Sequence, residues 1–467
     1  MRTSRSSAES RGPGALGRIL LAALTLAGGV ERPCEAQAPS ALQTGFKVGE
    51  VSASSATIWT RRTDPDLLDP SPPEAPLASA GELRVRWWSL ESTGAAQETA
   101  WVAVTPATDG IHQFVIEGLE AETRYGLEVQ TRSDPDGEVQ ALRGSFATAP
   151  APSANATVRF VATTGQRYDT RDAGDEGHEL YRSMLALRPD FFVHTGDVVY
   201  YDKVPEAKDV AAARARWGVM YSLPLSLRFH LQVPSYFIKD DHDTLKNDCW
   251  PGQTYGDLTW DQGVALFREQ VPYSELPYRS RRWGRHLEVW ILEGREFRSS
   301  NRAPDGPDKT ILGAEQWRWL EEGLAASDAT FRVVLSATPI VGPDRSGKRD
   351  NHANQAFAHE GERLRALLAS HPGAVVVCGD RHWQYTSQDA ETGLREFCTG
   401  PTTNRHAGGF SQDRRTDEHR YLAVRGGFLS VDVTAAAGGD APELIVRHHD
   451  PFGRVRNEER VAAPEGR

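Results

Sequence analysis

Between residues 45 and 147 apolar and polar positions alternate. The runs VSASSATIWTRRT, ELRVRWWSLES, HQFVIEGL and RYGLEVQTRS each follow a period of two and are separated by turn-forming residues. That period marks half-buried β-strands, so the pattern predicts an all-β sandwich over 41–147. Residues 148–156, rich in Pro, Ala and Ser, read as a linker.

From 157 to 460 the pattern changes. Short apolar runs (VRFVAT, DFFVHTGD, VPSYFI, RHLEVWILEG, FRVVLSATP, AVVVCGDRH) alternate with amphipathic stretches such as GHELYRSMLALRP, GAEQWRWLEEGLAAS and EGERLRALLASHP. Further helical text covers 207–227, and GFLSVDV and ELIVRHHD close the region with β-structure. Strand and helix in alternation predict an α/β domain of layered sheets. In the β-region, Tyr125 follows Leu119 by six positions. That spacing resembles the tyrosine corner of immunoglobulin and fibronectin III sandwiches, with Trp59 a candidate core tryptophan.

Arg2, Arg5, Arg11 and Arg18 precede an apolar run over 19–30, and Ala36-Gln37-Ala38 follows. This layout predicts a signal peptide over 1–38 and an exported protein, periplasmic, extracellular or at the cell surface. The run is too short to span a bilayer, and no later segment approaches that length. A formal net charge of −11 over 467 residues argues against a nucleic-acid partner. It leaves room for a small phosphorylated substrate, and it leaves the oligomeric state open. Removal of Cys34 with the peptide leaves Cys249, Cys378 and Cys398. An odd number builds no disulfide framework, and buried free thiols are expected.

The chemistry gathers where three strands end. FFVHTGD ends on Asp197, SYFIKDD on Asp241 with His242 next, and AVVVCGD on Asp380 with His382 two residues on. In α/β sheets ligands bind beyond the carboxyl ends of strands, so three acidic tips can meet at one place. Carboxylates crowded together need a cation or must take up protons. Oxygen donors with imidazole suit hard or borderline metals.

At this point the chain resembles the metallophosphatases, and most closely their alkaline phosphatase D (PhoD-like) branch. HTGDVVYY resembles that branch's His-x-Gly-Asp-Tyr-Ile-Tyr, KDDHD its Trp-Asp-Asp-His-Glu, and CGDRHW its Gly-Asp-x-His. ILEGREFR and ILGAEQWRWL resemble two further motifs, and the leading β-region fits as well. The resemblance implies a four-layer αββα core and two or more divalent or trivalent metals, iron and/or calcium. It implies Asp197 as bridging carboxylate, Tyr200 as tyrosinate ligand, and Asp241, Asp380 and His382 in the metal shell, with Asn247 a further ligand. His242 takes the role of acid near the phosphate, and Arg381 orients the substrate. Two departures stand out. Gly165 occupies the place of the branch's iron-binding cysteine, with Gln166 retained, and Glu293 stands where the branch has Asp.

The polar loop 342–354 follows a strand whose end faces the same way, and its Lys348 and His352 are candidate substrate-binding residues. The expected activity is hydrolysis of phosphomonoesters or diesters by a metal-bound hydroxide. A phosphodiesterase of lipid or nucleotide esters, or a non-catalytic surface protein with a degenerate metal site, stand as alternatives.

Overall fold

Two large sheets carry the molecule. The computed structural model describes residues 40–69, 74–273, 275–435 and 441–465, so the expected signal peptide over 1–38 lies outside the described residues. A nine-stranded sheet runs, in spatial order, Val455–Ala462, Glu443–His449, Phe428–Val433, Val158–Thr163, Phe191–His194, Ser235–Phe237, Phe46–Gly49, Ser55–Arg61 and Ile111–Glu117. Val158–Thr163, Phe191–His194 and Ser235–Phe237 are parallel. A seven-stranded sheet is centred on the parallel strands Leu287–Ile291, Phe331–Ser336, Ala374–Cys378 and Arg395–Cys398.

These central strands are near-continuous apolar runs because both of their faces are covered. Phe160, Val193, Tyr236 and Leu429 of the first sheet share one core with Val289, Val333, Val377 and Phe397 of the second. Alternate residues point outward to helices. Phe192 and Val161 meet Leu180–Ala186 and Pro224–His230. Val334 and Val376 meet Gly313–Ala326 and Ala358–Ala369. The order is helix, sheet, sheet, helix, as the resemblance implies.

The N-terminal β-region does not stand apart. Phe46–Gly49 pairs in parallel with Ser235–Phe237 through Gly49 and Ser235, so three N-terminal strands extend the nine-stranded sheet. A separate five-stranded sheet, with Gly81–Ser89, Arg124–Arg132 and Gln140–Ala147 as its long strands, packs Leu83, Val85, Leu127 and Phe146 against Phe46, Ile58 and Phe114. The tyrosine corner is present, with the Tyr125 hydroxyl accepting from the Glu120 N–H at 2.9 Å. Trp59 is no part of the sandwich core. It shares its strand with Ile58 but points to the opposite face, where its indole donates to the Glu269 carbonyl and packs edge-on to Tyr221. Cys378 and Cys398 are register partners in adjacent strands, and with Cys249 they are buried free thiols. Among the described residues no helix is long and apolar enough to cross a membrane.

Candidate active site

The carboxyl ends of the parallel strands in both sheets converge. Beyond Val158–Thr163, the Gln166 N–H donates to the Asp197 carbonyl at 2.8 Å, which stitches the first strand tip to the second. The Asp380 N–H donates to Thr164 Oγ1 at 3.3 Å, which brings in the other sheet. Gly379 makes that approach possible. A Cβ there would lie 2.6 Å from Thr195 Oγ1 and 2.7 Å from Thr164 Oγ1. Asp197 and Asp380 then both adopt left-handed backbone, at φ 62° and 59°. Two non-glycine residues held so at matching turns mark a place where the surroundings fix the conformation.

Asp197, Asp241 and His242 each offer a ligand atom within 4.8 Å of the others, and all three are buried. The Tyr200 hydroxyl donates to Asp197 Oδ2 at 2.8 Å. Asp197 Oδ1 is buried with no hydrogen-bond partner. Burial, and then the charges of Asp241, Asp240, Asp243 and Asp380, push the Asp197 carboxyl far above the usual carboxylate range. Burial and Asp197 likewise raise the Tyr200 phenol. Asp241 goes the other way. Burial opposes its ionisation, but His242, Arg295 and Lys348 outweigh it and hold the carboxyl below its ordinary value.

The acids of the KDDHD loop have separate tasks. Asp240 is fully buried against Arg295, whose Nε donates to it at 2.7 Å. Asp243 accepts from the Val198 and Asp240 N–H groups at 3.0 and 2.7 Å and so holds the loop against the neighbouring strand tip. Burial pushes Asp243 up to about 7. His242 Nδ1 meets Asp202 Oδ1 at 2.5 Å, which leaves Nε2 for the site. Glu293, the longer acid of ILEGREFR, binds Lys239 and accepts the Arg295 N–H.

A second acidic group, Asp241, Asp248 and Asp350, lies beside the first. Here the Lys348 ammonium already sits between Asp248 and Asp350, in contact with the first and 3.2 Å from the second. Burial, with Asp350 next, pushes Asp248 up to about 6.

Several expected residues serve otherwise than their spacing suggests. Arg381 is fully buried and paired with Asp380, with Asp344 at 3.4 Å and Asp350 at 3.5 Å, so it braces acids instead of facing a substrate. Asn247 is exposed, and its contribution is a backbone N–H to Asp202 Oδ2 at 3.0 Å. The buried His352 turns Nε2 to Glu360 at 3.0 Å. Gln166 spends its side-chain oxygen on the Tyr181 hydroxyl at 2.6 Å and on His194. Asp202, Asp350 and His406 escaped the sequence reading. His406, from the loop after Arg395–Cys398, has its ring 4.0 Å from that of His382 and 5.4 Å from that of Tyr200. His448 and His449 are buried at the end of the strand Glu443–His449, and His448 Nε2 bonds the Tyr385 and Cys398 carbonyls.

Residues 160–425 match the family of PhoD-like phosphatases. The chain is 22% identical over 441 residues to the alkaline phosphatase D of Bacillus subtilis (strain 168), covering 81% of this chain and 71% of that protein. Among solved structures it is similar to that of PhoD, with a TM-score of 0.72 at 18% identity, over 91% of this chain and 90% of the other. It is also similar to the purple acid phosphatase PPD1 of yellow lupin (Lupinus luteus) seeds, with a TM-score of 0.63 at 15% identity, over 89% and 74%. Both structural likenesses bear on the fold.

Proposed function

The chain belongs to the PhoD-like phosphatase family and is a phosphoester hydrolase, and from that premise we propose that it is an exported, metal-dependent enzyme acting on small phosphomonoesters or diesters at the Asp197 centre. The observation that carries the reading is the convergence of Asp197, Asp241 and His242, with Asp197 Oδ1 buried and partnerless. A hard or borderline cation answers both features, since it would satisfy the orphaned oxygen and offset the crowded negative charge. Asp197, Tyr200 and Asp241 from one sheet, with Asp380 and His382 from the other, would hold it. When bound, such a cation neutralises charge on the phosphoryl oxygens and brings the pKa of a water toward about 7.

The chain's own groups then position and move protons. Asp202 accepts from His242 Nδ1 and so fixes which ring nitrogen faces the substrate. In its doubly protonated form His242 keeps Nδ1–H on Asp202 and gives its Nε2 proton to the departing alkoxide oxygen, as a water oxygen bonds to phosphorus and the bond from phosphorus to the leaving oxygen breaks. Lys348, held by Asp248 and Asp350, would meet a phosphate oxygen with its remaining N–H, while Arg381 holds Asp380 in position. Export rests on the arginine-bearing apolar segment of residues 1–38.

The test is elemental analysis of the purified protein paired with turnover of an aryl phosphate and a bis-aryl phosphate, before and after chelation. Asp197→Ala should lose both bound metal and hydrolysis. Unchanged turnover in the chelated protein or in that variant would overturn the metal reading. Expression of the full chain should yield a secreted form lacking about the first 38 residues. An uncleaved chain retained inside the cell would overturn export.

A further inference from the structure

Gly165 and His406 form a pair. Gly165 has left-handed backbone, φ 62°, and its carbonyl accepts from His406 Nδ1 at 2.9 Å. The Thr402 N–H and hydroxyl donate to the same carbonyl, and Thr164 bridges to Pro401, so the His406 loop is fastened to this strand tip. A Cβ on Gly165 would touch the His406 ring at 3.5 Å, at both Cε1 and Nδ1. Pro401 Cβ is nearer still, at 3.3 Å, so a Cβ at position 165 would pack against both Pro401 and the imidazole.

Because Nδ1 faces a carbonyl, Nδ1 carries the ring proton, and Nε2 is left with a bare lone pair. His406 is 7% exposed, and Nε2 makes no hydrogen bond among the described residues. Its ring neighbours are His382 and Tyr200, and the Tyr200 hydroxyl leads directly to Asp197. An imidazole with one nitrogen fixed by a backbone carbonyl and the other free has the arrangement of a metal-binding histidine.

We propose that His406 Nε2 is a ligand of the Asp197 centre and supplies the donor that position 165 lacks. The inference rests on the metal dependence proposed above. It makes the donor set nitrogen and oxygen throughout, with no thiolate, which suits borderline cations such as Zn²⁺, Co²⁺, Mn²⁺ or iron.

Cobalt(II) alone is the probe, followed by calorimetry and by its visible absorption. His406→Asn puts an amide N–H near the place of Nδ1 and so keeps the bond to Gly165, but it has nothing at Nε2. We expect it to melt close to wild type when metal-free and to bind Co²⁺ at least roughly tenfold more weakly, with an altered spectrum. Wild-type affinity and spectrum in His406→Asn would overturn the assignment and leave the metal site standing. A wild-type protein that binds no cobalt would overturn the site itself. A measurement on the unaltered protein decides the matter even if the variant does not fold. On titration with Zn²⁺ the ¹⁵N resonance of His406 Nε2 should move while Nδ1 stays protonated, and a stationary Nε2 would sink the proposal.

Discussion

His242 and Asp202, forty residues apart in the chain, meet Nδ1 to Oδ1 at 2.5 Å. The carboxylate is held on its other oxygen by the Asn247 N–H, so the loop after His242 returns to lock the partner of its own histidine. Burial opposes the ionised form of Asp202, but the hydrogen bond from His242 prevails and lowers its pKa. Asp202→Asn keeps the shape and loses the charge. An amide can also present its N–H to Nδ1, which holds the ring in its singly protonated form and weakens it as an acid. The expected result is a kcat lower by about 10–100-fold with KM little changed, as for loss of a group that orients a reacting one. Steady-state kinetics on an aryl phosphate checks this, and a variant with wild-type kcat would remove Asp202 from the proposed mechanism.

Gly379 lets the second sheet touch the first. Its would-be Cβ meets Thr195 Oγ1 and the Thr195 carbonyl at 2.6 and 2.7 Å, and backbone cannot yield as a side chain can. Gly379→Ala should push the Asp380 tip away from Asp197, at a stability cost of about 1–3 kcal/mol. Metal affinity should fall as well, although no ligand has been altered. Urea unfolding with cobalt calorimetry on the same variant reads both effects.

These contacts show how far the sequence could be read. The acidic tips at Asp197, Asp241 and Asp380 were legible because each follows an apolar run, and parallel strands place their ends on one side. Asp202, Asp350 and His406 were not, because loops carry them and only the tertiary path of a loop sets what it meets. Alternation likewise showed which residues share a face of a strand, but not which sheet the strand joins. That is why Trp59, on a strand of the nine-stranded sheet, faces helices and not the sandwich. Gly165 stood out only through the resemblance, as the place of that branch's cysteine, while its neighbour His406, 241 residues further on, gave no signal in spacing.

Away from the site, buried histidines predict acid sensitivity. Burial lowers His178 to about 4 and His448 to about 3, from an ordinary value of 6.5. Between 6.5 and those values the unfolded chain binds protons that the folded chain refuses. Stability is therefore complete above pH 6.5 and falls as the pH drops toward 4, by on the order of 2–3 kcal/mol per histidine. His448→Gln keeps a donor toward the Tyr385 and Cys398 carbonyls but does not titrate. Urea midpoints across pH 4–7 should decline less steeply in this variant than in wild type, and parallel curves would show that His448 does not contribute.

Lys348 already supplies a positive charge at the second acidic cluster. Its ammonium lies between Asp248 and Asp350, which with Asp241 form the second cluster of possible ligands. These two acids and Asp380 raise the lysine's pKa in spite of its burial, so it stays charged and stands where a second cation would. Removing it leaves three acids with less compensation, since Arg381 is 3.5 Å from Asp350 and engaged with Asp380. Lys348→Ala should melt lower than wild type without added metal and regain most of the loss in millimolar Ca²⁺, because the freed oxygens suit a hard cation. Wild type should gain much less from the same addition. Equal responses to Ca²⁺ in the two proteins would mean that the second cluster takes a metal with the lysine in place, and that the ammonium is a neighbour of that ion and not its substitute.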